Sequence, residues 1–410
     1  MKTNLAAVKL GKGDSLNYVG DLVSPYSSLL DNILNVNNKI IIIPSFVDVH
    51  VHLREPGFFY KETIKTGTLA AAKSGYSTVF SMPNLKPVPD TLKNLKQQLD
   101  IIDKDAVIDV IPYGSITMDE KGRELSDMED MAPFVVGFSD DGVGVASDSV
   151  MKKAMLKAKE LNKIIVAHCE DMDLRGDGYI HDGEYARRNR HKGISSVSEW
   201  AQIERDLTLV KEIGCKYHVC HISTKESVEL IRRAKAEGLS VTCETAPHYL
   251  VLNDMNLQDD GRFKMNPPIR SEEDRNALIK GLLDGTIDMI ATDHAPHTAE
   301  EKEKGLKDSA MGITGLETAF PILYTKLVKP GIISIEKLIE LMAINPRKRF
   351  GLPMPDKTCD FAIWDIGTVY KIKPERFVSM GKSTPFSDWK VQGRCLLNVK
   401  NGKIVWQTEL

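Results

Sequence analysis

The chain has little cysteine, and its cysteines are not arranged in pairs. Six cysteines occur in 410 residues, and no Cys-x-x-Cys spacing is present. A disulfide framework and a four-thiolate zinc site both need such spacings, so the sequence argues against both. We expect the cysteines to be ordinary small apolar residues.

An excess of charge of one sign and long apolar runs are also missing. The formal net charge is -3, with acidic and basic residues spread along the chain, so no basic face for nucleic acid and no polybasic membrane patch is predicted. The apolar run Ile40–Ile43 is too short to span a bilayer, and residues 1–15 lack the apolar core of a signal peptide. We therefore expect a cytoplasmic protein that acts on a small molecule and has no nucleic-acid or membrane partner.

Short β-rich apolar runs alternate eight times with amphipathic helical segments. The runs are Ile40–His52, Ser77–Asn84, Ala106–Gly114, Phe134–Asp141, Ile164–Glu170, Lys216–Ser223, Ser240–Tyr249 and Asp288–Pro296. Nearly continuous apolar strands that alternate with helices are typical of parallel strands covered on both faces. The pattern predicts an α/β fold, a (β/α)8 TIM barrel.

A smaller unit is predicted outside the barrel. The helical pattern stops near Gly351, and two strand-like segments follow, Cys359–Trp364 and Arg394–Trp406. The second contains Asn401-Gly402, a strong signal for a tight hairpin turn. We predict a small β domain made of residues 1–44 and 351–410, beside a barrel made of residues 45–350.

Polar side chains gather at the predicted carboxyl ends of five strands. They are His50 and His52, Asp140 and Asp141, His168, His221, and Asp293. Alternate side chains of a strand share a face, so His50 and His52 point the same way. Each residue alone is compatible with a structural role, but strand ends meet at the catalytic rim of a barrel, where burying so much polarity is costly without a partner. Nitrogen and carboxylate ligands of this mix suit zinc.

The order of these motifs resembles the amidohydrolase superfamily, and within it the bacterial dihydroorotases of the Bacillus and Aquifex type. The matching blocks are Asp48–Gly57, Met82–Asn84, Phe138–Gly142, His168–Asp171, His221–Val228, Pro247-His248, Asn266–Arg270, Thr292–His297 and Gly312–Thr318. They span nearly the whole predicted barrel. The N-terminal segment departs from the family because it is short and lacks the usual hairpin.

The resemblance implies a zinc-dependent hydrolase of cyclic amides that interconverts N-carbamoyl-L-aspartate and L-dihydroorotate in pyrimidine (UMP) biosynthesis. It implies two zinc ions per subunit and a set of six ligands. His50, His52 and Asp293 would hold one ion, His168 and His221 the other, and Asp141 would bridge them. By the same analogy Asp293 is the general base.

The resemblance also implies a set of substrate contacts. These are His52, Arg54, Asn84, Asn266, His297 and the backbone of Met311 and Gly312. Arginine offers the planar fork of donors that a carboxylate prefers. The alternatives are structural: a salt bridge from Arg54 to Glu55 or another rim carboxylate, and a turn cap for Asn84.

The bridging ligand separates this chain from many relatives, which use a carbamylated lysine. No lysine ends the fourth predicted strand, since Lys152 and Lys153 lie in the following helix. We therefore expect a carboxylate bridge. Asp141 has the family's spacing to His168, whereas Asp140 points to the opposite face.

Two other functions stay open at this point. Another cyclic amidohydrolase, such as a hydantoinase, dihydropyrimidinase or allantoinase, would share the metal centre. A non-catalytic scaffold for aspartate carbamoyltransferase would be expected to have lost ligands, and none is missing. We expect a homodimer and leave association with aspartate carbamoyltransferase open.

The segment after the eighth strand is rich in charge. Lys302, Lys304 and Lys307 are interleaved with Glu301 and Glu303. The simplest interpretation is a solvated loop near the active rim.

Overall fold

The computed structural model describes residues 5–7, 39–355 and 359–408, so most of the N-terminal segment and its predicted lack of a hairpin lie outside the described residues. The strands are β1 Leu5–Ala7, β2 Ile40–Pro44, β3 Phe46–Val51, β4 Tyr76–Ser81, β5 Asp109–Pro112, β6 Gly114–Ser115, β7 Phe138–Ser139, β8 Ile164–Ala167, β9 Ile180–His181, β10 Gly193–Ile194, β11 Lys216–Val219, β12 Val241–Thr245, β13 Met289–Ile290, β14 Phe361–Asp365, β15 Tyr370–Lys371, β16 Lys390–Val391, β17 Arg394–Lys400 and β18 Lys403–Gln407.

The helices fill the connections between these strands. They are α1 Ile64–Lys73, α2 Leu92–Asp105, α3 Met128–Met131, α4 Asp148–Glu160, α5 Met172–Arg175, α6 Glu184–Asn189, α7 Val197–Ile213, α8 Lys225–Ala236, α9 Pro247–Val251, α10 Glu272–Asp284, α11 Ala299–Lys302, α12 Gly305–Asp308, α13 Ala319–Leu323, α14 Ile335–Ile339 and α15 Asn345–Phe350. Within the described ranges, none of them combines the length and the apolar character needed to cross a membrane.

The barrel is built from two runs of parallel strands, β3-β4-β5 and β6-β7-β8-β11-β12-β13. β5 and β6 form one barrel strand interrupted at Tyr113, whose N–H donates to the Ser81 carbonyl of β4. The circle closes between β13 and β3, where the His52 N–H donates to the His294 carbonyl at 2.9 Å. The predicted (β/α)8 barrel is confirmed.

The chain ends form a second sheet, in the order β1-β2-β14-β17-β18. The predicted strand Ile40–His52 is wrong as a single element, because β2 pairs with β14 in this sheet while β3 pairs with β4 in the barrel. The chain changes sheets at Ser45, whose hydroxyl donates to Asn398 at 2.8 Å. Asn401-Gly402 joins β17 to β18, as predicted. The proposed domain limits at residues 44 and 351 stay a prediction.

Side-chain caps fix the starts of the long helices. The hydroxyls of Thr63, Thr91, Ser147, Thr224 and Ser271 each accept a bond from a backbone N–H in the first turn. Such a cap stabilises a helix by about 1 kcal/mol. Ser271 and Asp274 form a capping box, in which each side chain accepts from the backbone N–H of the other residue. Ser126 and Glu129 have the same spacing in the sequence but form no capping box, because the Ser126 hydroxyl donates to the Ser115 carbonyl.

Strand β3 is less regular than simple alternation predicts. Its pairing register with β4 shifts between Asp48 and Val51. Val49 therefore packs in an interior cluster with Val47, whereas Val51 belongs to the larger apolar core. The irregular backbone still delivers both histidines of the strand to one place, the open end of the barrel.

Candidate metal centre and active site

Six buried side chains converge at the carboxyl ends of five barrel strands, and none is more than 5% exposed. They are His50 near the end of β3, His52 after β3, Asp141 after β7, His168 after β8, His221 after β11 and Asp293 after β13. These are the six residues that the sequence predicts as metal ligands. The barrel thus brings together groups that are up to 243 residues apart in the chain, as His50 and Asp293 show.

Asp141 lies at the centre of this cluster. Its Oδ1 atom is 3.3 Å from His50 Nε2, 3.6 Å from His221 Nε2 and 3.7 Å from His168 Nδ1. Its Oδ2 atom is 3.5 Å from His52 Nε2. Both carboxylate oxygens therefore face histidine nitrogens, which is the arrangement that a ligand between two cations requires.

Asp293 lies on the His50 and His52 side of the cluster. Its Oδ1 atom is 3.1 Å from His52 Nε2 and 3.6 Å from His50 Nε2. Burial alone would raise the pKa of the Asp293 carboxyl, but the neighbouring histidines, His50 first, hold it well below its usual range. The carboxylate is thus in the charged form that binds a cation or accepts a proton.

The donor set fits a metal ion. His50 Nε2, Asp141 Oδ1 and His221 Nδ1 are buried polar atoms without a hydrogen-bond partner. Such atoms are costly unless something satisfies them. Two groups, His50 with His52 and Asp293, and His50 with Asp141 and His221, hold ligand atoms within 4.8 Å of one another. Imidazole nitrogens and carboxylate oxygens in this proportion suit zinc.

Three site residues have a left-handed backbone. The φ angles of Arg54, His221 and Asp293 are 63°, 30° and 46°. A non-glycine residue pays roughly 1–3 kcal/mol for such a conformation, which persists only when the surroundings impose it. The barrel therefore imposes a strained backbone conformation on these three residues at its open end.

Arg54 lies at the rim, and 8% of it is exposed. Its Nε donates to the Pro296 carbonyl at 3.2 Å, and its Nη2 is 3.4 Å from His297 Nε2. The alternative salt bridge to Glu55 is wrong, because that carboxylate accepts the Ile64 N–H instead. Among the described residues no carboxylate forms an ion pair with Arg54. Burial lowers the pKa of its guanidinium to about 10, so it is still a cation near neutral pH.

Asn84 connects two predicted ligands. Its Oδ1 is 2.9 Å from His52 Nδ1, and its Nδ2 donates to Asp141 Oδ2 at 3.3 Å. The side chain of Asn84 therefore does not act as a simple turn cap. Asn84 orients a histidine and a carboxylate of the cluster from outside, as residues behind a metal site commonly do.

Most of the other predicted substrate contacts already form hydrogen bonds within the protein. Asn266 Nδ2 donates to Glu170 Oε2 at 2.9 Å, whereas Asn266 Oδ1 is buried without a partner. The Met311 carbonyl accepts from His297 Nε2 at 2.9 Å. The Gly312 N–H donates to the Lys264 carbonyl at 3.0 Å, and the binding of the substrate ring by the backbone of Met311 and Gly312 stays a prediction.

Comparison with known proteins agrees with the geometry. Residues 39–227 match the protein family described as Dihydro-orotase-like. A dihydroorotase from Fusobacterium nucleatum subsp. nucleatum is 51% identical over 381 residues, which covers 92% of this chain and 89% of that relative. A dihydroorotase from Bacillus cereus is 49% identical over 383 residues, with the same coverage of both chains. The chain belongs to the dihydroorotase family.

Solved structures of a hydantoinase and a dihydropyrimidinase share this dihydroorotase-family fold. L-Hydantoinase (dihydropyrimidinase) from Arthrobacter aurescens is 27% identical, with a TM-score of 0.79 over 90% of this chain and 85% of that chain. Dihydropyrimidinase from Brevibacillus agri is 20% identical, with a TM-score of 0.76 and the same coverage. The much higher identity to dihydroorotases favours that family over the hydantoinase alternative.

Asp140, the neighbour of Asp141, has a different position. Its Oδ1 accepts the backbone N–H groups of Ile116 and Thr117 at 2.7 and 3.0 Å, and its Oδ2 accepts the Thr117 hydroxyl. These bonds tie the end of β7 to the segment after β6. Asp140 has no oxygen left to turn toward the cluster.

Glu244 is a supporting residue that the sequence analysis missed. Its Oε1 is 2.8 Å from His50 Nδ1, and its Oε2 is 3.1 Å from His218 Nε2. Burial would raise the pKa of this carboxyl, but His218 and His50 outweigh it and lower the pKa to about 2. An acidic residue inside an apolar barrel strand could have signalled this role, because a buried carboxylate needs partners.

We expect Glu244→Ala to weaken zinc binding by roughly 10–100-fold, because His50 loses the group that fixes its ring orientation. Competition with a chromophoric chelator measures the affinity. Glu237→Ala is a matched control, since Glu237 pairs with Lys211 on the surface. Equal zinc affinity of the Glu244 variant and the unsubstituted protein would remove Glu244 from this role.

Proposed function

We propose that this dihydroorotase-family chain opens and closes the cyclic amide of L-dihydroorotate, interconverting it with N-carbamoyl-L-aspartate in pyrimidine synthesis. The observation that carries the proposal is a complete buried histidine and carboxylate cluster beside Arg54, a buried cation with no ion-pair partner among the described residues. The cluster suits metal-assisted hydrolysis of an amide. Arg54 suits the carboxylate that distinguishes dihydroorotate from dihydrouracil and hydantoin.

We assign two zinc ions to the cluster. His50, His52 and Asp293 would hold one, His168 and His221 the other, and Asp141 would lie between them. Bound there, zinc would lower the pKa of water to about 7 and withdraw electron density from the amide carbonyl. The distances from Asp141 to four histidines support its assignment to the position between the two ions. The division of the histidines between the ions rests on the family resemblance.

Asp293 is the general base of the proposed mechanism. In hydrolysis its carboxylate accepts a proton from the attacking water and delivers it to the ring nitrogen as the carbon–nitrogen bond breaks. In cyclisation the same proton moves in reverse. His52 and Asn84 help to position the base. The Nε2 atom of His52 contacts Asp293, and the Nδ1 atom of His52 contacts Asn84.

Substrate recognition is assigned to side chains around this base. Arg54, Asn84 and His297 are assigned to the substrate carboxylate, with His52 beside them. The unpartnered Oδ1 of Asn266 accepts a ring N–H. The Met311 carbonyl takes part through its bond to His297 rather than as a free group.

Arg54→Ala tests the substrate assignment. We expect kcat/KM for L-dihydroorotate to fall by roughly 10–100-fold, the effect of losing a hydrogen bond to a charged group. Zinc content and the weak turnover of dihydrouracil should change little. The measurement is steady-state hydrolysis of both compounds, with metal analysis of each variant.

Arg188→Ala serves as the matched control, because Arg188 pairs with Glu184 on an exposed helix. If the unsubstituted protein turned over dihydrouracil or hydantoin faster than dihydroorotate, the proposed substrate would be wrong. A normal kcat/KM for Arg54→Ala would show that Arg54 does not recognise the substrate. It would not decide which substrate is correct.

Two finer expectations stay predictions, a homodimer and a cytoplasmic location, and association with aspartate carbamoyltransferase stays open. The non-catalytic scaffold is not favoured, because the six predicted ligands are all present and converge. Sedimentation of the purified chain, alone and with aspartate carbamoyltransferase, would test the two assembly states.

A further inference from the structure

A buried lysine lies in the segment after β13, and the proposed chemistry does not use it. Lys302 is only 3% exposed, so the expectation of a solvated loop is wrong at this position. Its Nζ donates to the carbonyls of Ala310 and Gly312, both at 2.8 Å, and of Lys264 at 3.1 Å. An ammonium group has three N–H donors and no acceptor, so these bonds use its full capacity.

The three carbonyls belong to segments that carry candidate substrate contacts. Lys264 lies two residues before Asn266, and Ala310 and Gly312 flank Met311, whose carbonyl accepts from His297. Lys302 itself ends helix α11, which begins directly after His297 and Thr298. One ammonium group therefore joins the three pieces of chain that surround the proposed ring-binding side of the site.

The surroundings of Lys302 affect its charge. Burial, followed by the charge of Lys264, lowers the pKa of its amine to about 7, while Asp260 and Glu301 act in the opposite direction. The ammonium form that donates all three bonds is therefore favoured below that pH. Lys302 and His297 are both among the residues that line a cavity of about 530 Å³.

Close packing around these segments makes their positions sensitive to small shifts. A Cβ atom added at Gly312 would lie 2.4 Å from the Ala295 carbonyl oxygen and 2.9 Å from His297 Cδ2. The segment that Lys302 holds is therefore already packed closely against Ala295, in the segment after β13, and against His297. Movement of one would displace the other.

We propose that Lys302 is a positioning residue for substrate binding: its ammonium group holds residues 264–266 and 310–312 against the loop that carries His297. It sets Asn266 and the His297 contact before the substrate arrives. The proposal rests on the proposed function for the substrate, but the holding of the segments can be measured without it.

Lys302→Met tests the proposal, because methionine keeps much of the buried chain and has no donor. We expect KM for L-dihydroorotate to rise by about tenfold, while kcat and zinc content stay within about twofold. Lys302→Arg, which retains donors, should recover part of the loss. Lys304→Met, an exposed lysine of the same loop, is the control and should match the unsubstituted protein.

Hydrogen–deuterium exchange provides a readout that is independent of activity. Amides of residues 310–312 and 264–266 should exchange faster in Lys302→Met than in Lys304→Met. If Lys302→Met does not fold, Ser309→Ala takes its place, because the Ser309 hydroxyl donates to the Lys302 carbonyl at 2.9 Å and should give smaller changes in the same direction.

Unchanged exchange in both segments, or an unchanged KM, would overturn the positioning role. A fall in kcat together with lost zinc would overturn it too, because the effect would then lie in the metal centre. If the unsubstituted protein does not hydrolyse dihydroorotate, the proposed function fails, and the exchange experiment alone decides whether Lys302 holds the two segments.

Discussion

Asp293→Asn is expected to reduce turnover of L-dihydroorotate by about 10²–10⁴-fold, the usual contribution of a general base. The amide keeps an oxygen that can coordinate a metal and has nearly the same shape, but it cannot accept a proton at neutral pH. Much of the zinc should therefore be retained. Steady-state hydrolysis and metal analysis on the same preparation measure both quantities.

His52→Ala is the informative comparison for this variant. His52 Nε2 lies 3.1 Å from Asp293 Oδ1, so it shares the site and helps to position Asp293, but it is assigned as a ligand and a substrate neighbour and not as the base. It should lose metal and activity together. Near-normal turnover by Asp293→Asn would remove Asp293 from the role of base, whatever its part in holding zinc.

Asp141→Ala is expected to cost the chain most of its zinc and, with it, nearly all turnover. The reason is geometric: the two oxygens of Asp141 face nitrogens of His50, His52, His168 and His221, and no other carboxylate takes that central position among the described residues. Zinc bound per chain after dialysis, determined by elemental analysis, is the measurement.

Asp140→Ala is the matched control, although it removes three hydrogen-bond acceptor contacts with Ile116 and Thr117 and should lower the thermal stability. At a temperature where it is folded, it should retain more zinc than Asp141→Ala. Reconstitution of the metal-free protein should also be independent of bicarbonate, because an aspartate needs no carbamylation. A bicarbonate requirement, or greater zinc loss from Asp140→Ala, would contradict an Asp141 bridge.

The barrel could be predicted because its elements carry local signals. Alternating apolar runs and amphipathic helices are properties of short segments, and Ser271 with Asp274 shows that a cap can be read from four residues. The break at Ser45 could not be predicted, since Ile40–Pro44 and Phe46–Val51 form one continuous apolar stretch. Their separation depends on pairing with β14, more than 300 residues away.

The candidate site, like the fold, could be predicted from the sequence only in part. His50, His52 and Asp293 could be predicted because ends of barrel strands meet at one rim. Glu244 gave a sequence signal as an acidic residue inside an apolar strand, but its partners and those of Lys302 could not be assigned, because they come from distant segments. The same holds for the Gly312 N–H, whose bond to the Lys264 carbonyl exists only in the folded chain.

Titration of the metal-free chain with zinc, while hydrolysis of L-dihydroorotate is followed, tests the central claim most directly. The proposed centre predicts no turnover without metal and a rise in activity that ends at two zinc ions per chain. Full turnover by the metal-free protein, or zinc-loaded protein that leaves dihydroorotate intact, would contradict the claim.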